Sequence, residues 1–247
     1  MKTKIRTPKY LLEIVRKPTW RLALSLLAIL LVAAACSSSD GSPNSRQILI
    51  TADDGTVLRG QIYGRGAIGI VLVHEAEKDQ GQWTDFATSL SLRGFTVVTV
   101  DLRGHGNSPG PKELGIADSD AAAALRFLRV SVDVKRSFLM GAGVGGTAVI
   151  KLASRETVVG VITLSAPASA RGVSAVADAP RVVAPILYLA AEGDGPAADD
   201  AQDFFERSTD PKTIELFPGD DHGVELLKGA QSTRVRSAIN EFLDQYR

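Results

Sequence analysis

The chain has 247 residues, with 28 Lys and Arg balanced by 28 Asp and Glu, and a single cysteine. That length suits one domain with a sizeable core once any leader is set aside. The balanced charge offers no basic surface for nucleic acid, and one cysteine excludes an internal disulfide framework.

Residues 1–21 carry Lys2, Lys4, Arg6, Lys9, Arg16, Lys17 and Arg21 against one acid, Glu13. A 14-residue apolar run, Leu22 to Ala35, follows and ends at Cys36. A basic region, an apolar core and a small-residue cleavage site predict a signal peptide over 1–35. Fourteen residues fall short of the roughly 20 a helix needs to cross a bilayer, which argues against an uncleaved anchor. Ala33-Ala34-Ala35-Cys36 resembles the lipobox of bacterial lipoproteins, in which the cysteine is acylated and becomes the new N-terminus. The Ser, Gly and Pro residues just after Cys36 make the flexible linker, 36–46, that a tethered domain needs. The expectation is a domain outside the cytoplasm, lipid-anchored through Cys36 to the bacterial cell membrane. An ordinary secretory signal with an incidental cysteine is the alternative. Without residues 1–35, which hold 7 basic and 1 acidic residues, 21 and 27 remain, a net charge of −6. That balance opposes nucleic-acid binding and a polybasic lipid contact.

Gln47–Ala52 and Thr56–Tyr63 alternate around Asp53-Asp54-Gly55 and predict a hairpin. Ile68–Val73 is a continuous, largely β-branched run, as in a strand covered on both faces. Trp83–Arg93 has helical spacing and stops at Gly94. Phe95–Val100 predicts another buried strand and Asp118–Arg129 an alanine-rich helix. Strands at Ser137–Met140, Val158–Ser165, Ile186–Ala190 and Thr213–Phe217 alternate with helices at Thr147–Arg155, Ala197–Arg207 and Thr233–Tyr246. Strand–helix alternation of this kind predicts an α/β domain over 47–247, with a mostly parallel sheet and helices on both faces. Ligands of such sheets sit beyond the carboxyl ends of the strands. Ala166–Ala184 is too short to hold a large lid.

Five stretches fall at those ends: Val71-Leu72-Val73-His74; Asp101-Leu102-Arg103-Gly104-His105-Gly106-Asn107-Ser108; Met140–Gly146; Ala191-Glu192-Gly193-Asp194; and Gly219-Asp220-Asp221-His222-Gly223. Together and in this order they resemble small esterase-like and dienelactone-hydrolase-like members of the α/β-hydrolase family, over nearly all of 47–247. The resemblance implies an eight-stranded sheet and a Ser-His-Asp site in the chain order nucleophile, acid, histidine. It implies that His222 is the general base and that Asp194 orients it. Val144 N–H, just after the elbow tip, and a second N–H after His74, at Ala76, would hold the oxyanion. Glu75 departs from the Gly frequent at its place. It asks for no cofactor and no metal, and His74, His105 and His222 lack ligand spacing.

One residue breaks the pattern. The elbow G-x-S-x-G reads Gly141-Ala142-Gly143-Val144-Gly145, so the nucleophile position holds Gly143, which can form no acyl-enzyme. Thr147 and Ser165 are poorly placed to replace it. The expected function is a serine-esterase-like lipoprotein that is inactive or weakly active, a pseudoenzyme binding a small ester-like or acyl ligand. The alternative is an active carboxylic-ester hydrolase using water activated by His222 and Asp194, or another nucleophile. A reading of a third class is dinucleotide binding through Gly141, Gly143 and Gly146. The motif's late strand and the absence of an acid about 20 residues on oppose it. His74 and His105 are expected to be structural, with Asp101 pairing to Arg103 to brace their loop. Trp83 is expected to cover the sheet.

Overall fold

The computed structural model describes residues 45–247. The expected signal peptide, Cys36 and nearly all of the expected 36–46 linker lie outside the described residues. Among the described residues, no helix is long and apolar enough to cross a membrane.

The domain opens with the expected hairpin, β1 (Ser45–Thr51) and β2 (Val57–Tyr63). Its turn closes through Gly55 N–H to Ala52 O at 3.0 Å, and the Asp54 carboxylate accepts from Thr56 N–H at 2.9 Å. Six further strands complete the sheet: β3 (Ile68–Val73), β4 (Phe95–Val100), β5 (Arg136–Ala142), β6 (Gly160–Leu164), β9 (Ile186–Ala191) and β10 (Lys212–Phe217). The strand order is β1-β2-β4-β3-β5-β6-β9-β10, with β1–β2 and β2–β4 antiparallel and every other pairing parallel. Two-residue strands β7 (Ser169–Ala170) and β8 (Val173–Ser174) form a separate small hairpin between β6 and β9.

Five α-helices cover the sheet: α1 (Thr84–Leu92), α2 (Ala117–Ser131), α3 (Val144–Ala153), α4 (Pro196–Arg207) and α5 (Ser232–Tyr246). Because side chains alternate across a strand, the buried residues divide into two cores. Val71, Val73 and Leu139 pack with α2, α3 and α4 on one face. Ile70, Leu72, Phe138 and Met140 pack with α1 and α5 on the other. Helix α3 begins at Val144, three residues before the expected start at Thr147. Gly145 and Gly146 read as loop by propensity, yet both lie inside the helix, where their lack of side chains lets α3 sit close to the sheet.

That closeness is measurable. A Cβ on Gly145 would stand 2.4 Å from Val73 O, and one on Gly141 would stand 2.2 Å from Gly145 O. The strand–turn–helix junction closes only with glycine at both places.

Candidate active site

The expected residues converge at the carboxyl ends of β3, β5, β9 and β10. Gly143 lies between β5 and α3 with φ 51° and ψ −127°. Residues with a Cβ rarely adopt that conformation, which costs them about 1–3 kcal/mol. Its N–H donates to Leu164 O at 2.9 Å, and its carbonyl accepts from Gly146 N–H at 2.9 Å. A Cβ built there would be 3.7 Å from His222 Nε2. One further bond would put a hydroxyl within hydrogen-bond reach of that nitrogen. The tip of the elbow therefore faces the histidine, although it has nothing to offer it.

Asp194 and His222 are paired as the resemblance implies. His222 Nδ1 lies 2.8 and 3.0 Å from the two carboxylate oxygens of Asp194. A carboxylate only accepts, so Nδ1 carries a proton, and a neutral ring then presents its Nε2 lone pair toward Gly143. This is the tautomer a general base needs. The Asp194 side chain is 9% exposed and that of His222 50%. The acid is therefore fixed by the protein, and the base is open to a ligand. Two backbone bonds tie their loops together, Glu192 N–H to Phe217 O at 2.8 Å and Gly193 N–H to Gly219 O at 2.7 Å.

Both hydroxyls weighed as substitutes are engaged elsewhere. Thr147 Oγ1 donates to Pro167 O at 2.6 Å. Ser165, buried and at φ 52°, accepts from Gly223 N–H at 2.9 Å and so supports the histidine loop. Val144 stands in the first turn of α3, where N–H groups have no intrahelical acceptor. Ala76 is half-buried on the loop after β3.

That loop is held by the two other histidines, both buried. His74 Nδ1 donates to Glu75 O at 2.6 Å and Nε2 accepts from Leu102 N–H at 3.0 Å, which fixes a neutral ring. Burial pushes His74 down to about 4. The His105 ring bridges Arg103 O at 2.9 Å and Ala76 O at 2.8 Å. Both are structural, as expected.

The expected Asp101–Arg103 pair does not form. Arg103 instead grips the buried Asp120 of α2, Nη2 to Oδ1 at 2.7 Å, with its own N–H on Oδ2 at 2.9 Å. It also reaches Asp54 at 2.7 Å. The Thr56 N–H and the Arg103 guanidinium hold the Asp54 carboxyl down at about 2. Asp101 accepts from Gln80 N–H at 2.8 Å and Asn107 N–H at 2.9 Å. A carboxylate two residues from an arginine suggests a pair. Here the strand end turns the two side chains to different loops. Trp83 is fully buried beside Phe86 in the α1 face of the core.

Glu75 is the residue whose role the sequence left open. Its Oε1 accepts from Val224 N–H at 3.0 Å, across the site. Its Cγ lies 3.1 Å from where a Cβ on Gly143 would stand. The available signal was its charge, directly after a buried strand, where the family often has glycine.

An open α/β sheet of this order, with an elbow, an acid and a histidine after β5, β9 and β10, defines an α/β-hydrolase. The model of the serine aminopeptidase, S33, family matches residues 67–221, well over half of the chain. The chain belongs to that family. No curated protein matches it. Among solved structures it is similar to an esterase of Pyrococcus furiosus, at 16% identity and TM-score 0.73, covering 85% of this chain and 96% of that one. It is also similar to a monoacylglycerol lipase of Paleococcus ferrophilus, at 20% identity and TM-score 0.68, covering 77% and 99%. An alpha-beta serine hydrolase homologue of Coxiella burnetii matches at 19% identity and TM-score 0.68, covering 80% and 97%. The elbow contacts account for Gly141, Gly143 and Gly146 without a dinucleotide: a Cβ on Gly146 would stand 2.7 Å from Ala166 Cβ.

Proposed function

We propose that this chain is a lipid-anchored α/β-hydrolase-fold protein of serine-esterase descent that has lost its nucleophile. It is inactive or residually active, and it uses the exposed face of His222 beside Gly143 to bind a small ester-like or acyl ligand. One observation carries the reading: Gly143 faces His222 Nε2 in the geometry a serine would use, with Asp194 in place behind the histidine. An unused site has no catalytic reason to keep either residue, so the pair speaks for recent loss or for a binding role. The Pyrococcus esterase and the Paleococcus lipase support an acyl-type ligand. In this reading the Val144 and Ala76 N–H groups receive the ligand's carbonyl oxygen.

A second reading has one specific support, the Nε2 lone pair directed at the space above Gly143. A water held there, deprotonated by His222, attacks an ester carbonyl directly. Enzymes lacking a triad member keep roughly 10³–10⁴-fold over water through binding and the oxyanion hole.

The discriminating experiment is p-nitrophenyl acetate and butyrate hydrolysis by the purified full chain in detergent, beside His222→Ala. The expected outcome for the natural protein is a rate indistinguishable from that of His222→Ala. Turnover that vanishes in His222→Ala establishes the water mechanism and overturns the inactive reading.

A further inference from the structure

We propose that Glu75 is a second lock on this site, occupying the reaction space next to Gly143 so that ester hydrolysis returns only when both residues are changed. The inference rests on the reading of the site as a hydrolase without its nucleophile. Glu75 stands at the carboxyl end of β3, on the loop that would supply the Ala76 N–H to an oxyanion. Its side chain does not turn out to solvent. It crosses the site, passes its methylene over Gly143, and ends on Val224 N–H at 3.0 Å, next to the histidine. A Cβ on Gly223 would stand 2.4 Å from its Oε1, so the carboxylate also fills the space over the residue after His222. Glu75 thus bridges the loop after β3 to the loop after β10, passing beside the elbow.

Two physical consequences follow. The first is steric. A side chain at position 143 would put its Cβ 3.1 Å from Glu75 Cγ, tighter than ordinary van der Waals contact, so Glu75 must give by a few tenths of an ångström to admit one. The acyl carbon of a substrate would compete for the same volume. The second is electrostatic. Acyl transfer builds negative charge on the carbonyl oxygen, and stabilising that charge is commonly the largest catalytic contribution. A carboxylate within about 6 Å of it, at an effective dielectric near 20, opposes that step by roughly 10²-fold. Glycine at 143 and glutamate at 75 are therefore mutually compatible, whereas serine at 143 and glutamate at 75 conflict.

The experiment is a cycle on the full chain: natural protein, Gly143→Ser, Glu75→Gly, and both changes together. A second double variant pairs Gly143→Ser with Glu75→Gln, which keeps the volume and removes the charge. Ester hydrolysis is read together with the rate of covalent labelling by a neutral fluorophosphonate, followed by intact mass. Thermal melts verify that each protein is folded. The expected result is labelling and turnover at least about 10²-fold faster in Gly143→Ser/Glu75→Gly than in Gly143→Ser. Gly143→Ser/Glu75→Gln should lie between them. Gly143→Ser as fast as the double variant overturns the lock while leaving the missing-nucleophile reading intact. A double variant slower than Gly143→Ser also overturns it, because the carboxylate then assists the nucleophile. A folded double variant with no labelling overturns it as well. Turnover by the natural protein that disappears in Glu75→Gly refutes both readings at once.

Discussion

His74 shows how a single side chain ties the site to the stability of the domain. It is buried, donates to Glu75 O and accepts from Leu102 N–H, so protonation would break its bond to Leu102 and strand a charge. Burial therefore depresses it from 6.5 to about 4. The unfolded chain takes up a proton below pH 6.5 while the folded chain stays neutral. The stability this neutral ring contributes is fully present above pH 6.5 and is lost as pH falls toward 4. The slope is about 1.4 kcal/mol per pH unit between those limits. Chemical denaturation should show about 2 kcal/mol less stability at pH 5 than at pH 7.5 through this group. The His74→Gln variant should be flatter by that amount, and equal pH dependence in the two proteins would assign the effect to other groups. At the same scale, Gly143 sits where a side chain would be strained. Its φ of 51° is one that residues with a Cβ adopt only under strain. Replacing it with serine should lower the melting temperature even where it restores chemistry, by about 2–4 °C for each kcal/mol lost.

At the scale of elements, the loop after β4 is held to helix α2 by an ion pair with almost no access to water. The Arg103 side chain is 8% exposed and that of Asp120 0%. Removing one partner of such a pair leaves a buried charge without compensation and typically costs about 3–5 kcal/mol. Asp120→Ala should therefore destabilise the domain by about that much in a denaturant titration. A loss under about 1 kcal/mol would mean that Asp54 alone satisfies Arg103. The neighbouring Asp118 links α2 to the end of α3 through Lys151 at 3.2 Å and Arg155 at 2.6 Å. Both aspartates lie in the first turn of α2, where the helix dipole favours negative charge. Strands β3, β4 and β9 are almost entirely buried, and their runs of Val, Ile and Leu announced them. The β7–β8 hairpin was not announced, because four residues of Ser, Ala and Val carry no measurable period. The start of α3 was missed because three glycines argue against helix by propensity alone, and the packing of the elbow overrides that preference.

At the scale of the whole molecule, the sequence of the domain is preceded by a segment that carries Cys36. The proposed anchor has a direct test. In a bacterial host the full chain should fractionate with membranes, and intact mass should show an acylated N-terminal cysteine. Cys36→Ser should abolish the acylation and release the domain or leave its precursor unprocessed. Membrane association unchanged in Cys36→Ser, with no acyl mass in either protein, would favour an anchoring segment over a lipid.

Read without a structure, the chain determined its class, its alternation of strands and helices, and the candidates for elbow, acid and histidine. Those features are written in local pattern: buried strands as continuous apolar runs, turns as glycine and aspartate, and candidate site residues as motifs just after strands. That the tip of the candidate elbow is Gly143 needed no coordinates at all. Tertiary structure alone decided where Glu75 points, that Arg103 chooses Asp120 over Asp101, and that Ser165 and Thr147 are already occupied. Each of these depends on which loops meet at the edge of a sheet ordered β1-β2-β4-β3-β5-β6-β9-β10. Glu75 and Val224 are 149 residues apart, and no local propensity acts over that separation. Only the closing of the sheet brings the carboxylate to that N–H.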